Sequence, residues 1–188
     1  MKTDGQSLTD SAYEAILAMI LDGTLPGGAR LQERRLAQEL SLSRTPVREA
    51  LGRLESEGLI TRQDRLSIVR TVTVRDFLEI LLVRKLLETE AIGLACGRIP
   101  AAELDRLRAG LKAARARGGS NRAFDDDLHG TILRYAGIGV LAAMVLQLRN
   151  KTAMFDVARI PERSGPVIDE HAAIVAALDA GDAVAARA

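Results

Sequence analysis

The run Ser43-Arg44-Thr45-Pro46-Val47-Arg48-Glu49-Ala50-Leu51, continuing through Arg53-Leu54-Glu55 to Gly58-Leu59-Ile60, constrains this chain more than any other stretch. Ser43 suits an N-cap, Pro46 falls in the first turn where its missing N–H costs nothing, and Gly58 suits a left-handed stop. Between them Val47, Ala50, Leu51 and Leu54 recur at helical spacing, which predicts a helix with one apolar face. Arg44 and Arg48 stand four apart near its N-terminal end, turned away from that stripe. The second element of a helix-turn-helix reads DNA with its N-terminal residues, so arginines belong there.

The flanking residues complete a motif. Arg34-Arg35-Leu36-Ala37-Gln38-Glu39-Leu40 reads as a short amphipathic helix, and Ser41-Leu42-Ser43 as a tight connection of helix-turn-helix length. Upstream, Tyr13, Ile16, Leu17 and Ile20 form an apolar stripe closed by Asp22-Gly23 and Pro26-Gly27-Gly28. Downstream, Leu59-Ile60-Thr61-Arg62 and Ser67-Ile68-Val69-Arg70-Thr71-Val72 alternate as two short strands. Helix, helix, helix, hairpin is a winged helix. Arg44 or Arg48 alone would be an ordinary solvated arginine; turn, caps, stripe and hairpin in this order predict double-stranded DNA as partner.

Gly23-Thr24-Leu25-Pro26-Gly27, Leu36-Ala37, Ser43 through Leu51 and Glu57-Gly58-Leu59 together resemble the GntR family of bacterial transcriptional regulators. The resemblance covers roughly residues 8–73. On it, Arg34, Ser43, Arg44, Thr45, Pro46 and Arg48 are expected to form the DNA-binding surface, with Arg34 on the backbone. The tip of the wing, Gln63-Asp64-Arg65-Leu66-Ser67, lacks the glycine usual in that family.

The 188 residues suffice for two small domains. Hydrophobic residues make up 47% but aromatics only 3%, so the core must be built from Leu, Val, Ile and Ala, which suits packed helices. Formal net charge is +1, and no global basic field announces nucleic acid. Residues 30–70 nevertheless hold nine arginines against six acids, so attraction to phosphate is expected to be local and salt-sensitive. The single cysteine, Cys96, excludes an internal disulfide, and its apolar neighbours suggest a buried, inert thiol. Met1 to Gln6 has no apolar run behind it, and the most apolar stretch, Ile138 to Leu148, is too short to span a bilayer. A soluble cytoplasmic protein with no membrane partner is the expectation.

Thr71-Val72-Thr73 is where the pattern changes from strand to helix, which places a domain boundary between 1–73 and 74–188. Val74 to Gly97 reads as one long helix. Further helices are expected from Pro100, over Arg122–Tyr135, from Val140 to about Ala158, from Pro166 or Val167 to Leu178, and briefly after Gly181-Asp182, with Gly118 to Asn121 breaking the second. The fold class expected is mainly α: a winged helix-turn-helix with a small β-hairpin wing, then an all-α helical bundle.

Both histidines, His129 and His171, fall on predicted helices of the second half. Asp125 and His129 are one turn apart on one face, where a carboxylate and an imidazole can share a divalent cation; Asp169-Glu170-His171 can supply a third ligand. By spacing alone, a surface ion pair is the commoner explanation of Asp-x-x-x-His. Val83-Arg84-Lys85-Leu86-Leu87-Glu88, Asp125-x-x-Leu128-His129 and Glu170-His171-x-x-Ile174 are similar to the FCD ligand-binding domain of the FadR branch of GntR regulators. That resemblance implies a divalent transition metal, zinc first and nickel or manganese as alternatives, on Asp125, His129 and His171. The chain stops at Ala188, short of where the family pattern places a further histidine, and Gly137-Ile138 replaces the usual Gly-Asn. The resemblance also implies that Arg84 pairs with the carboxylate of a small organic-acid effector; against it stands an intrahelical salt bridge with Glu88, four residues on.

The function expected is a transcriptional regulator, a repressor and not an enzyme, whose affinity for operator DNA is set by a small carboxylate effector. A single helix-turn-helix contacts too few bases for genomic specificity, so a homodimer on a palindromic site is the physical expectation. Two rivals compete. A metal-dependent hydrolase could use the Asp/His/His set, although no motif places a general base beside it. A helix-turn-helix used only for protein contact would not need Arg44 and Arg48.

Overall fold

A computed structural model describes residues 7–63, 66–117, 122–155 and 164–187. The chain divides into two compact units, Met1–Ile80 with Arg149–Asp156, and Leu81–Leu148 with Val157–Ala188.

The first unit begins with α1 (Leu8–Leu21), β1 (Arg30–Leu31), α2 (Glu33–Glu39), α3 (Arg44–Ser56), β2 (Ile60–Gln63) and β3 (Leu66–Val69). The predicted stripe of α3 is its buried face: Val47, Ala50, Leu51 and Leu54 pack with Ala12, Ile16 and Ile20 of α1 and Leu36 of α2. Gly58 has φ +72, and behind it Leu59 N–H donates to Leu54 O and Gly58 N–H to Glu55 O, a Schellman stop that needs the left-handed residue. The same pattern ends α2, where Leu42 N–H reaches Ala37 O, but there the left-handed position is Ser41, at φ 56. Ser43 is the N-cap of α3 by backbone conformation, yet its side chain makes no capping bond.

The hairpin expected from alternation is present, with Ile60 opposite Val69 and Arg62 opposite Ser67. A third strand joins it: Arg30 and Leu31 pair with Ile68 and Ser67, giving the order β1-β3-β2. Two residues are too few to show a period, so this strand leaves no trace in the pattern. The wing-tip residues Asp64 and Arg65 lie outside the described residues.

Helix α4 (Val74–Ala95) begins where the strand pattern ends, and a capping box starts it. Thr73 Oγ1 accepts from Asp76 N–H at 3.1 Å while Asp76 accepts from Thr73 N–H at 3.0 Å. The first unit takes the start of α4 and the end of α7 (Gly139–Ala153), and within it Phe77 stacks on Phe155 with ring centroids 4.4 Å apart.

The second unit holds the rest of α4 and α7 (Gly139–Ala153), with α5 (Ala101–Ala116), α6 (Arg122–Ala136), α8 (Ser164–Ala180) and α9 (Ala183–Arg187). No strand follows β3 among the described residues. The core is aliphatic, as the composition requires, with Leu107, Leu128, Ile132, Val145 and Val175 buried and Phe124 the one buried aromatic side chain of its cluster among the described residues. Cys96 is half-buried at the edge of this core rather than within it. The breaker Gly118–Asn121 lies outside the described residues, and α7 ends at Ala153, with Met154 and Phe155 already in a turn, short of the helix end expected near Ala158. No helix among the described residues is long and apolar enough to cross a membrane.

Candidate functional site

Two sites are built by these elements, one in each unit. On the first, burial of the α3 stripe fixes which side chains face outward. Ser43, Arg44, Thr45 and Arg48 are exposed, as is Arg34 on α2, whereas Pro46 is buried and shapes the helix start from within. The two arginines converge on Glu33, the first residue of α2. Arg48 donates to it from Nε at 3.2 Å and from Nη2 at 3.1 Å, and Arg44 from Nη2 at 3.3 Å. Hydrogen bonding from Arg48 holds the Glu33 carboxyl below its usual range, Arg44 adding to it. No spacing in the sequence marked Glu33, because its partners lie 11 and 15 residues away on another helix.

In the second unit, α6 and α8 bring Asp125, His129 and His171 together, with one potential ligand atom from each lying within 4.8 Å of the others. Asp125 Oδ1 is 3.6 Å from His129 Nε2 and 3.3 Å from His171 Nε2. Both separations are longer than good N–H···O hydrogen bonds. They match the edges of a tetrahedron with metal–ligand bonds of about 2.0–2.2 Å, which are about 3.3–3.6 Å long. One carboxylate and two imidazoles are also the donor set that borderline transition ions favour. The residues therefore fit a divalent metal, and spacing alone could not have separated this from an ion pair.

The surroundings orient each ligand. His129 Nδ1 is 2.9 Å from Glu88 Oε2, so the Nδ1–H donates to that carboxylate and Nε2 is turned toward Asp125. Glu88 in turn accepts from Arg84 Nε at 2.6 Å, and both side chains are largely buried, 13% and 18% exposed. Burial, the largest influence, pushes the Glu88 carboxyl up, but the hydrogen bonds and charges of His129 and Arg84 together outweigh it and bring it to about 2. His171 is buried, its ring edge-on to Phe124 at 5.8 Å, and its Nδ1 has no hydrogen-bond partner among the described residues. Gly110 on α5 lets Phe124 approach, since a Cβ there would meet the ring at 3.0 Å. Arg115 of α5 pairs with Asp169 at 2.6 Å and so ties α8 down near His171.

Arg84 thus forms the intrahelical pair that its spacing with Glu88 allowed. Glu88, visible in the sequence only as that partner, is the residue that touches His129 of the candidate metal cluster. Its second contact spans 41 positions and carries no local signal.

Such an assembly, a winged helix with arginines on its outer helix and a helical unit holding an Asp/His/His cluster, is suited to a DNA-binding regulator with a separate sensing domain. Residues 8–69 match the family model "Bacterial regulatory proteins, gntR family", and residues 79–188 match the FCD domain. The chain belongs to the GntR family and carries an FCD domain; these are families of transcriptional regulators, not enzymes.

Curated relatives agree. The "Uncharacterized HTH-type transcriptional regulator YdhC" of Bacillus subtilis is 35% identical over 101 residues, 53% of this chain and 45% of that protein. The "Probable D-xylose utilization operon transcriptional repressor" of Paenarthrobacter nicotinovorans is 28% identical over 192 residues, 94% of this chain and 80% of that one. The matched stretch thus spans less than half the length of the first of these relatives. Among solved structures, E. coli McbR/YncC superposes with a TM-score of 0.80 at 26% identity, covering 97% of this chain and 91% of the other.

Proposed function

We propose that this chain represses transcription by binding double-stranded operator DNA as a homodimer, and that a small carboxylate bound at a metal centre in residues 74–188 alters that affinity. The observation that carries the DNA reading is the pair Arg44 and Arg48, exposed side by side at the start of a helix whose other face is buried. Exposed Arg34, Ser43 and Thr45 extend the surface, with Pro46 setting the helix entry. Relatives named as repressors, including the gluconate operon repressor of Bacillus subtilis, support the direction of control.

For the second domain, the metal is a divalent transition ion, zinc first, on Asp125, His129 and His171. When bound it would supply a positive centre for an effector carboxylate. Arg84, joined to His129 through Glu88, would then accompany it as the second anion-seeking group, keeping its Nε on Glu88. Dimerisation is supported by Leu82 and Leu86, one turn apart on α4 and 64% and 68% exposed, an apolar pair suited to a second copy.

Mobility-shift titration tests the first part: Arg44→Ala and Arg48→Ala should each weaken specific binding by about 1–3 kcal/mol. A double variant shifting selected duplexes as well as wild type would remove the assignment. Calorimetry with a panel of organic acids, on metal-loaded wild type and Arg84→Ala, tests the second. Binding indifferent to metal and to Arg84 would refute the effector site and leave DNA binding intact.

A further inference from the structure

The Glu33 cluster has a donor geometry that bears on how bases are read. A guanidinium is a planar fork with five N–H donors, and each two-nitrogen edge can engage one planar acceptor. Arg48 gives its Nε–Nη2 edge to Glu33, with Nε at 3.2 Å from both carboxylate oxygens and Nη2 at 3.1 Å from one. The edge formed by Nη1 and the outer hydrogen of Nη2 is the one not used by this carboxylate, and guanine O6/N7 takes such an edge in bidentate fashion. Arg44 is tied to the same carboxylate by one nitrogen, so both long side chains of the α3 surface are gathered at one point. Each is well exposed, 62% and 59%, and without Glu33 would sample many rotamers.

We propose that Glu33 is a positioning residue for sequence reading, fixing Arg48, and with it Arg44, in a conformation ready for base edges. The inference rests on the DNA-binding reading given above. A carboxylate beside the phosphates also has an opposite effect on affinity. Its charge repels the backbone, and sequence-independent binding is almost wholly electrostatic. Glu33 should therefore weaken binding to arbitrary duplex while sharpening binding to the right one. A residue that merely held α2 against α3 would change both affinities alike.

The test uses the full chain. Wild type is first used to enrich a duplex from a random-sequence library, and affinities for that duplex and for a scrambled one are then measured at two salt concentrations. In Glu33→Gln the ratio of the two affinities should fall about tenfold, with scrambled duplex bound more tightly than by wild type. Discrimination should be lost at the same base pairs as in Arg48→Ala, and the double variant should lose no more than Arg48→Ala alone. Glu39→Gln, which removes one negative charge from the other end of α2, should tighten both duplexes equally. Glu33→Asp keeps the charge but shortens the reach; it should lower discrimination without tightening scrambled duplex, and it serves if Glu33→Gln fails to fold. A wild-type ratio in the Glu33 variants, or an equal loss in Glu39→Gln, overturns the positioning role alone. A wild type that enriches no sequence overturns the DNA-binding reading and this inference with it.

Discussion

Glu88→Gln is the perturbation that most directly probes how the candidate metal cluster is held. The substitution keeps size and an oxygen acceptor for the His129 Nδ1–H, 2.9 Å away, but removes the charge that binds both His129 and Arg84. Hydrogen bonds to charged groups contribute about 1.5–3 kcal/mol against about 1 for neutral ones, so two weakened bonds in a largely buried place cost about 2 kcal/mol of fold stability. A less basic, less firmly oriented His129 should also bind metal about 10–100-fold more weakly. Mass action turns that into a stability signal. At a free zinc concentration of 100 times the wild-type Kd, binding stabilises wild type by about 2.7 kcal/mol, a tenfold-weakened variant by about 1.4 and a hundredfold-weakened one by about 0.4. Zinc affinity by chelator competition, with denaturant unfolding in zinc and in chelator, measures both quantities. A variant with wild-type zinc affinity would refute the argument that Glu88 orients His129.

Removing a ligand outright, as His129→Ala or His171→Ala, should abolish the zinc-dependent stabilisation, and elemental analysis of protein purified without chelator should show the metal lost. Ser41→Gly should stabilise the first unit by about 0.5–1 kcal/mol, because a left-handed serine ends α2 where glycine carries no such strain; a lower denaturant midpoint would show that the turn is not strained. Gly58→Ala should do the reverse, costing about 1 kcal/mol or more at φ +72. For pH, the folded Glu33 carboxyl lies below its unfolded value of 4.5, so its contribution is complete above about pH 4.5 and is lost only as pH falls through the lower folded value. Discrimination between specific and scrambled duplex should accordingly stay flat from pH 8 down to 5, and a change within that window would point to a different titrating group.

What could be read in advance follows the distance over which a signal acts. The stripe Val47, Ala50, Leu51 and Leu54 repeats within one helix, and its burial in the first core was legible for that reason. The Gly58 stop was equally local. The box Thr73-Val74-Arg75-Asp76, which starts α4, is equally local. Strand β1 was invisible because two residues have no period and owe their conformation to partners 36 and more positions away. Ser43 was right in residue type and position but not in its bond, since capping needs a side-chain rotamer that spacing does not specify. Asp125 and His129 share a face by spacing; that His171 of α8 closes the cluster followed from family likeness, and its geometry is tertiary.

Both candidate sites depend on one carboxylate that gathers two groups, Glu33 for Arg44 and Arg48 of another helix, and Glu88 for Arg84 of its own helix and His129 of α6. The settings differ in a way that decides how strongly each acts. Glu88 and its partners are mostly out of water, where an ion pair is weakly screened and an unpartnered charge is costly, so its loss should be felt in folding as well as in metal affinity. The arginines around Glu33 are well exposed, and pairs of that kind add little to stability because water and salt screen them. What remains for Glu33 is conformational: it restricts where two long cations point without holding the domain together. Variants of Glu33 should therefore leave unfolding nearly unchanged and appear in DNA discrimination, whereas variants of Glu88 should appear in unfolding first.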